Sequence, residues 1–215
     1  MTDNIIADSI PSDKKVIDWT HIKLTPLEES DIDLLYVWQN LPSIRDLTMG
    51  FRFPIQKETV KEWIKNQREQ NGKTRVVFAI RQNENLIGTI QLHRIEPYQR
   101  KALLGVYIGE PKSRNKGSGF VASSLLIDYA FQGLDMRKIG LEVLSINHSA
   151  IALYEKLGFK KEGTKIGEYF LGGQYLDVLI FGLQRKDWKI EIPAAANRLI
   201  GVAQADGLSN ELPPQ

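Results

Sequence analysis

Arg114-Asn115-Lys116-Gly117-Ser118-Gly119 places two basic residues and two glycines between an alternating apolar run and a helical one. Glycines in such a loop let the backbone curl so that successive N–H groups point inward, and the positive end of the following helix dipole completes an anion cradle. Arg114 and Lys116 add charge, and a diphosphate is the natural occupant. The loop lacks the lysine–serine ending of a P-loop, which argues against nucleoside triphosphate hydrolysis. It also lacks the first strand, the three-glycine spacing and the downstream acid of a dinucleotide fold. Taken alone, the hexapeptide reads as a plain strand-to-helix turn with solvated basic residues. Its place in the order of elements is what favours the cradle.

That order is set by hydrophobic periodicity. Trp19 to Leu27 alternates weakly as a first strand, and Ser30 opens a helix that Leu41-Pro42-Ser43 ends. A second helix spans Lys57 to Gln70, with Asn71-Gly72 as its stop. Arg75 to Arg81, Leu86 to Arg94 and Ala102 to Gly109 follow as an antiparallel meander. A long helix runs from Gly117 to Gly133. Its apolar residues recur every four positions and Phe120, Ile127 and Phe131 add a second apolar face, so it is expected to be covered on two sides. Lys138 to Ile146 is a strand, parallel to the one before the helix in the simplest crossover. Ser149 to Leu157 is a short helix with Gly158 as its C′ residue. Phe159 to Leu171 and Gln174 to Gln184 form a hairpin about Gly172-Gly173, which suits a turn needing positive φ.

Composition limits the alternatives. The chain has 215 residues, 42% hydrophobic and 25% charged, with a formal net charge of +2. This fits one α/β domain with tails: an arm over 1–18, a domain over 19–188 and a tail over 189–215. The near-balanced charge opposes nucleic-acid binding, and Lys112 to Lys116 is the nearest thing to a basic stripe. There are no cysteines, which excludes a disulfide framework, a thiolate metal site and a cysteine nucleophile. His21, His93 and His148 are too scattered for a zinc site, so no metal is expected. No apolar run of signal-peptide length lies within Met1 to Lys15, and none is long enough to span a bilayer. No membrane partner is expected, and the default location is the cytoplasm.

With this order in view, the sequence resembles the GNAT superfamily of N-acetyltransferases, in the branch holding ribosomal-protein N-terminal and spermidine acetyltransferases. Arg114 to Gly119 matches the family's Arg/Gln-x-x-Gly-x-Gly/Ala pyrophosphate loop. Asn147-His148-Ser149-Ala150-Ile151-Ala152-Leu153-Tyr154-Glu155-Lys156-Leu157-Gly158-Phe159 matches its second signature. Lys161-Glu162-Gly163 and Gly173-Gln174-Tyr175-Leu176-Asp177 match the branch's usual sequel. The resemblance covers about residues 20 to 188. It implies an α/β (α+β) fold: a mixed, mostly antiparallel sheet of about seven strands, flanked by about four helices, with a splayed parallel pair. It also implies acetyl-CoA as co-substrate. The pantetheine would pair with backbone at Tyr107, Ile108 and Gly109, and the pyrophosphate would rest on Arg114, Asn115, Lys116, Gly117, Ser118, Gly119 and the adjoining Phe120. Asn147 would hydrogen-bond the coenzyme, and Ala150 and Tyr154 would line its thiol end.

The implied reaction is acetyl transfer to a primary amine, by direct attack in a ternary complex. The amine must lose a proton, its free pKa being near ~10. A backbone N–H near Ile108 is the family's donor to the carbonyl oxygen, and Tyr154 holds the family's position for the acid that protonates the departing thiolate. Tyr154 also fits plain helix packing with Ile151 and Leu157, and Asn147 fits a helix N-cap. Leucines occupy the strand position where many relatives carry a glutamate, which leaves Glu142 and Glu110 as the carboxylates to weigh as base. The acceptor would be a polyamine, amino sugar, amino acid derivative or protein N-terminus. Candidates to face it are Trp38, Arg45, Met49, Phe51 and Arg52, together with Glu168, Tyr175 and Asp177. The arginines favour an acidic acceptor and the acids a cationic one. A non-catalytic acyl-CoA-binding or sensor module is the alternative, and homodimers are common in such folds.

Overall fold

The computed structural model describes residues 18–50, 53–70 and 73–193. Phe51 and Arg52, the Asn71-Gly72 stop, nearly all of the N-terminal arm and most of the tail beyond Trp188 lie outside these residues. The elements are β1 (Ile22–Thr25), α1 (Ile32–Asn40), α2 (Pro42–Thr48), α3 (Lys57–Gln70), β2 (Arg75–Gln82), β3 (Asn85–Glu96) and β4 (Lys101–Ile108). They continue with α4 (Ser118–Gln132), β5 (Lys138–Leu144), α5 (His148–Lys156), β6 (Lys160–Leu171) and β7 (Gln174–Gln184). Short 3₁₀ turns precede α1 and follow β4 and β7.

The described residues hold five α-helices, one more than the sequence reading gives. Pro42 ends α1 as expected, because the residue before a proline is driven to extended backbone and Leu41 is extended. The same ring then serves at N1 of α2, where its missing N–H costs nothing. A proline read only as a stop was also a start.

The seven strands form one sheet in the order β1-β2-β3-β4-β5-β7-β6. Every pairing is antiparallel except β4 with β5. That parallel pair registers only at Lys101↔Lys138, Ala102↔Ile139 and Leu103↔Gly140. Beyond Leu103, β4 stays with β3 as far as Ile108, while β5 stays with β7 as far as Leu144. The sheet therefore opens as a V, as the resemblance implied.

Each face of the sheet has its own cover. On one side α4 packs with Leu104, Ile139, Leu141 and Phe181, and eleven of its fifteen residues are buried, which explains its two apolar faces. On the other side α1 and α3 bring Leu35, Trp38, Val60 and Ile64 against Ala79 and Leu86. β4 serves both layers: Val106 and Ile108 join the α4 side, and Tyr107 the α1/α3 side. At the β6–β7 hairpin Gly172 and Gly173 both have positive φ, at 58° and 85°, as the turn demands.

Trp38 clamps the end of β4. Its indole lies flat over Gly109, and a Cβ added there would overlap the ring. Gly109→Ala is expected to destabilise the fold by about 1–3 kcal/mol, since Trp38 is 3% exposed and has no room to retreat. Urea unfolding checks this.

Candidate active site

A cleft of about 1120 Å³ occupies the V, lined by Gly117 and Gly119 at one end and by Leu103, Glu142 and Tyr154 deeper in. Its walls follow from the register. Gly109 donates to the Ile87 carbonyl, so the odd-numbered residues of β4 hydrogen-bond to β3. Alternation then turns the backbone groups of Val106 and Ile108 to the other side, where β5 has moved away. The edge of β4 presents peptide groups to the cleft.

The loop before α4 fits an anion. Gly117 caps the helix with φ of 93°, and a Cβ at that position would meet nothing within 4 Å. No side chain caps the helix, so its first N–H groups are open. The Ser118 hydroxyl is buried and, like those of Ser123 and Ser124 further along the helix, has no hydrogen-bond partner among the described residues. It is the open N–H groups at the helix start that suit a diphosphate. Asn115, Gly117, Gly119 and Phe120 line the cleft; Lys116 is exposed beside it. Lys156, from α5, sits 4.6 Å over the Phe120 ring and adds a cation the motif does not contain. Arg114 lines the cleft as well. Its guanidinium donates to the carbonyls of Ile108 (2.9 Å) and Gly109 (3.0 Å) and so latches the loop to the end of β4.

The opposite wall is α5. Asn147 caps it, accepting from the Ala150 N–H at 3.3 Å, and also lines the cleft. The helix ends in a Schellman turn. Phe159 N–H donates to the Tyr154 carbonyl and Gly158 N–H to that of Glu155, with Gly158 at φ of 92°. The Phe159 ring meets Tyr154 edge-on at 5.9 Å, which fixes the tyrosine ring. Tyr154 is buried against the cleft, and burial alone pushes its phenol up to about 12. It stays protonated at any working pH and is a permanent donor.

Several candidate residues lie elsewhere. Glu110 caps the turn after β4, accepting from Lys112 N–H, and does not line the cleft. Glu142 does, but Lys165 holds its carboxylate at 2.8 Å. On the acceptor side Trp38 is core rather than wall. Arg45 pairs with Asp46 at 3.2 Å outside the cleft. Tyr175 is 74% exposed and packs at a tilt against Phe170 at the hairpin, and Asp177 accepts from Gly167 N–H. Of the segment as read, Met49 and Glu168 do line the cleft.

The sequence reading considers His93 only as a zinc ligand. In the fold it faces Arg75 and Leu103 across the ladders, at the depth where the V begins, and it lines the cleft. Burial first, then the charges of Arg75 and Arg94, lower its pKa from the ordinary 6.5, against a smaller opposing pull from Glu142. The folded state thus resists the proton that the unfolded chain accepts. The stability this contributes is complete above 6.5 and is lost as pH falls below it. His93→Gln is expected to lose less stability than the parent between pH 7.5 and 5, measured by urea unfolding at each pH.

Comparison with known proteins agrees with this geometry. Residues 21–160 match the family described as Acetyltransferase (GNAT) domain. The chain belongs to the GNAT acetyltransferase family. The spermidine N(1)-acetyltransferase of Vibrio cholerae is 30% identical over 160 residues, covering 74% of this chain and 90% of that one. The putative ribosomal N-acetyltransferase YdaF of Bacillus subtilis is 25% identical over 178 residues, covering 80% and 95%. A crystal structure of the Vibrio cholerae spermidine N-acetyltransferase with CoA and spermine superposes with a TM-score of 0.71, at 27% identity, covering 78% of this chain and 97% of that one. This chain is accordingly an N-acetyltransferase. No helix among its described residues is long and apolar enough to cross a membrane.

Proposed function

We propose that the GNAT cleft of this chain binds acetyl-CoA along the free edge of β4 and acetylates a primary amine that arrives from the α2 and β6 side. The observation that carries this is the three-residue limit of the β4–β5 pairing. It leaves a linear slot with peptide groups on one wall and an anion cradle at its mouth. Acetyl-CoA supplies an activated thioester carbonyl. The α4 N-terminus holds the diphosphate, and the backbone of Val106 pairs with the pantetheine as an added strand would, while the Ile108 carbonyl stays with Arg114. Ile108 N–H donates to the carbonyl oxygen as it gains charge, a contact typically worth ~3 kcal/mol. Tyr154 gives a proton to the departing sulfur. Glu142 is tied to Lys165 and Glu110 is a cap, which leaves His93 as the cleft-lining group with a lone pair for the amine proton; its lowered pKa makes it a weak base, so the amine must itself be desolvated on entry. The chain has no cysteine to carry an acyl group, which favours direct attack.

The acceptor class is a small-molecule amine or a peptide N-terminus. The spermine complex of the Vibrio relative supports the first and the ribosomal name of the Bacillus relative the second. Free-thiol release from acetyl-CoA, followed with spermidine, amino sugars, amino acids and short peptides, tests the reading. Turnover on one class is expected. Tight acetyl-CoA binding without turnover on any amine would leave a non-catalytic acyl-CoA-binding module in its place.

A further inference from the structure

The charges around the acceptor half of the cleft are uneven. Two carboxylates line it, Glu142 and Glu168, and both face one lysine: Lys165 Nζ lies 2.8 Å from Glu142 and 3.9 Å from Glu168. Arg94 approaches Glu142 as well, at 4.0 Å. A left-handed φ of 49° at Arg94, within the register shift between His93 and Glu96 of the β3–β4 ladder, lets its side chain reach across to Glu142 on β5. Arg75 stands beside His93 on β2 and lines the cleft, and no carboxylate among the described residues pairs with it. Among the described residues of this half, Arg75, Arg94 and Lys165 thus meet two acids, and burial and the arginines favour the neutral form of His93 between them. A polyamine entering here finds each carboxylate already facing a cation and two arginines at hand. Like charges placed together repel, and partner choice at such a site is set by that repulsion as much as by attraction.

We infer that the acceptor is an amine carrying an anionic group, carboxylate or phosphate, which docks on Arg75 and Arg94 and holds the amine over the apex of the V. Guanidinium groups suit both anions because their donors match the paired oxygens. The inference rests on the acetyl-transfer reading of the same cleft. It departs from the cationic acceptor named for the Vibrio relative.

The test compares matched acceptors in the thiol-release assay, using the full chain. Peptides Ser-Glu-Glu, Ser-Gln-Gln and Ser-Lys-Lys form the carboxylate arm, glucosamine 6-phosphate against glucosamine the phosphate arm, and spermidine the polycation. The anionic member of at least one arm is expected to exceed its neutral counterpart by about 10-fold in kcat/KM, with the advantage shrinking as salt rises. The better arm names the anion. Arg75→Glu and Arg94→Glu are expected to raise the KM of that acceptor about 10-fold or more and to reverse the preference. The KM for acetyl-CoA should stay unchanged, which certifies the fold, and Arg75→Lys should restore part of the loss. Equal use of neutral and anionic acceptors, or a preference for spermidine or Ser-Lys-Lys, overturns the inference and leaves the acetyltransferase reading standing. Binding of acetyl-CoA with no turnover on any amine overturns both.

Discussion

Tyr154→Phe is expected to lower kcat by about 100-fold or more while leaving acetyl-CoA affinity and stability close to the parent values. The substitution removes one oxygen and nothing else that the fold uses. Burial is the only influence on the phenol, and nothing among the described residues hydrogen-bonds its hydroxyl, so no internal bond is lost. The ring keeps its edge-on contact with Phe159, and the Schellman turn of α5 depends on the Tyr154 carbonyl, which phenylalanine also supplies. A core tyrosine that merely packs would give no change in rate. Single-turnover acetyl transfer with Tyr154→Phe beside the parent separates the two roles, and a rate within a factor of two would remove Tyr154 from the mechanism. The loss should appear in kcat rather than in the KM for acetyl-CoA, because the proton is needed only as sulfur departs.

Asp31→Ala is expected to cost about 3–5 kcal/mol of stability, the largest single loss among the polar positions. Asp31 and Arg81 form a buried pair at 2.9 Å, with side chains 4% and 12% exposed. The same carboxylate accepts from Glu28 N–H at 2.9 Å, and the Arg81 guanidinium also donates to the Thr25 hydroxyl. The pair therefore ties the turn before α1 to both β1 and β2. Removing the acid strands a guanidinium away from water and frees a backbone donor. Replacing both, as Asp31→Leu with Arg81→Met, is expected to recover most of the loss, since the penalty comes from the uncompensated charge. Urea unfolding of the parent, the single variants and the double variant measures the coupling. A loss below about 1 kcal/mol for the single change would mean that the pair is solvated in solution.

The parts of the site that were legible in the sequence are those built from local chain. Gly117, Gly158 and the Gly172-Gly173 pair each sit where backbone needs positive φ, and each declares itself by residue type and by its place after a periodic run. The Arg114–Gly119 loop and the cap at Asn147 are local in the same sense. The acceptor wall was not legible, because strand register assembles it. His93 meets Arg75, and Lys165 meets Glu142, only once β2, β3, β5, β6 and β7 are aligned. Trp38 and Tyr175 show the converse error. An aromatic side chain suits a core, a hairpin or a binding site equally well, and type alone did not distinguish them. α2 was hidden by Pro42, whose two preferences point in opposite directions along the chain.

The open seam of β4 is also a hazard held in check. Unpaired strand backbone is a template for another chain, and proteins ordinarily blunt such edges. The outer edges here are blunted: β1 is four residues long, and β6 carries Lys160, Lys161 and Lys165 and two register shifts. The seam carries neither device. It lies instead inside a cleft lined by residues of α2 and α5, so another chain must pass those two helices to reach it. The helices that shape the cleft thus also shield the seam, and a substitution that loosens α2 or α5 would be expected to trade selectivity for self-association.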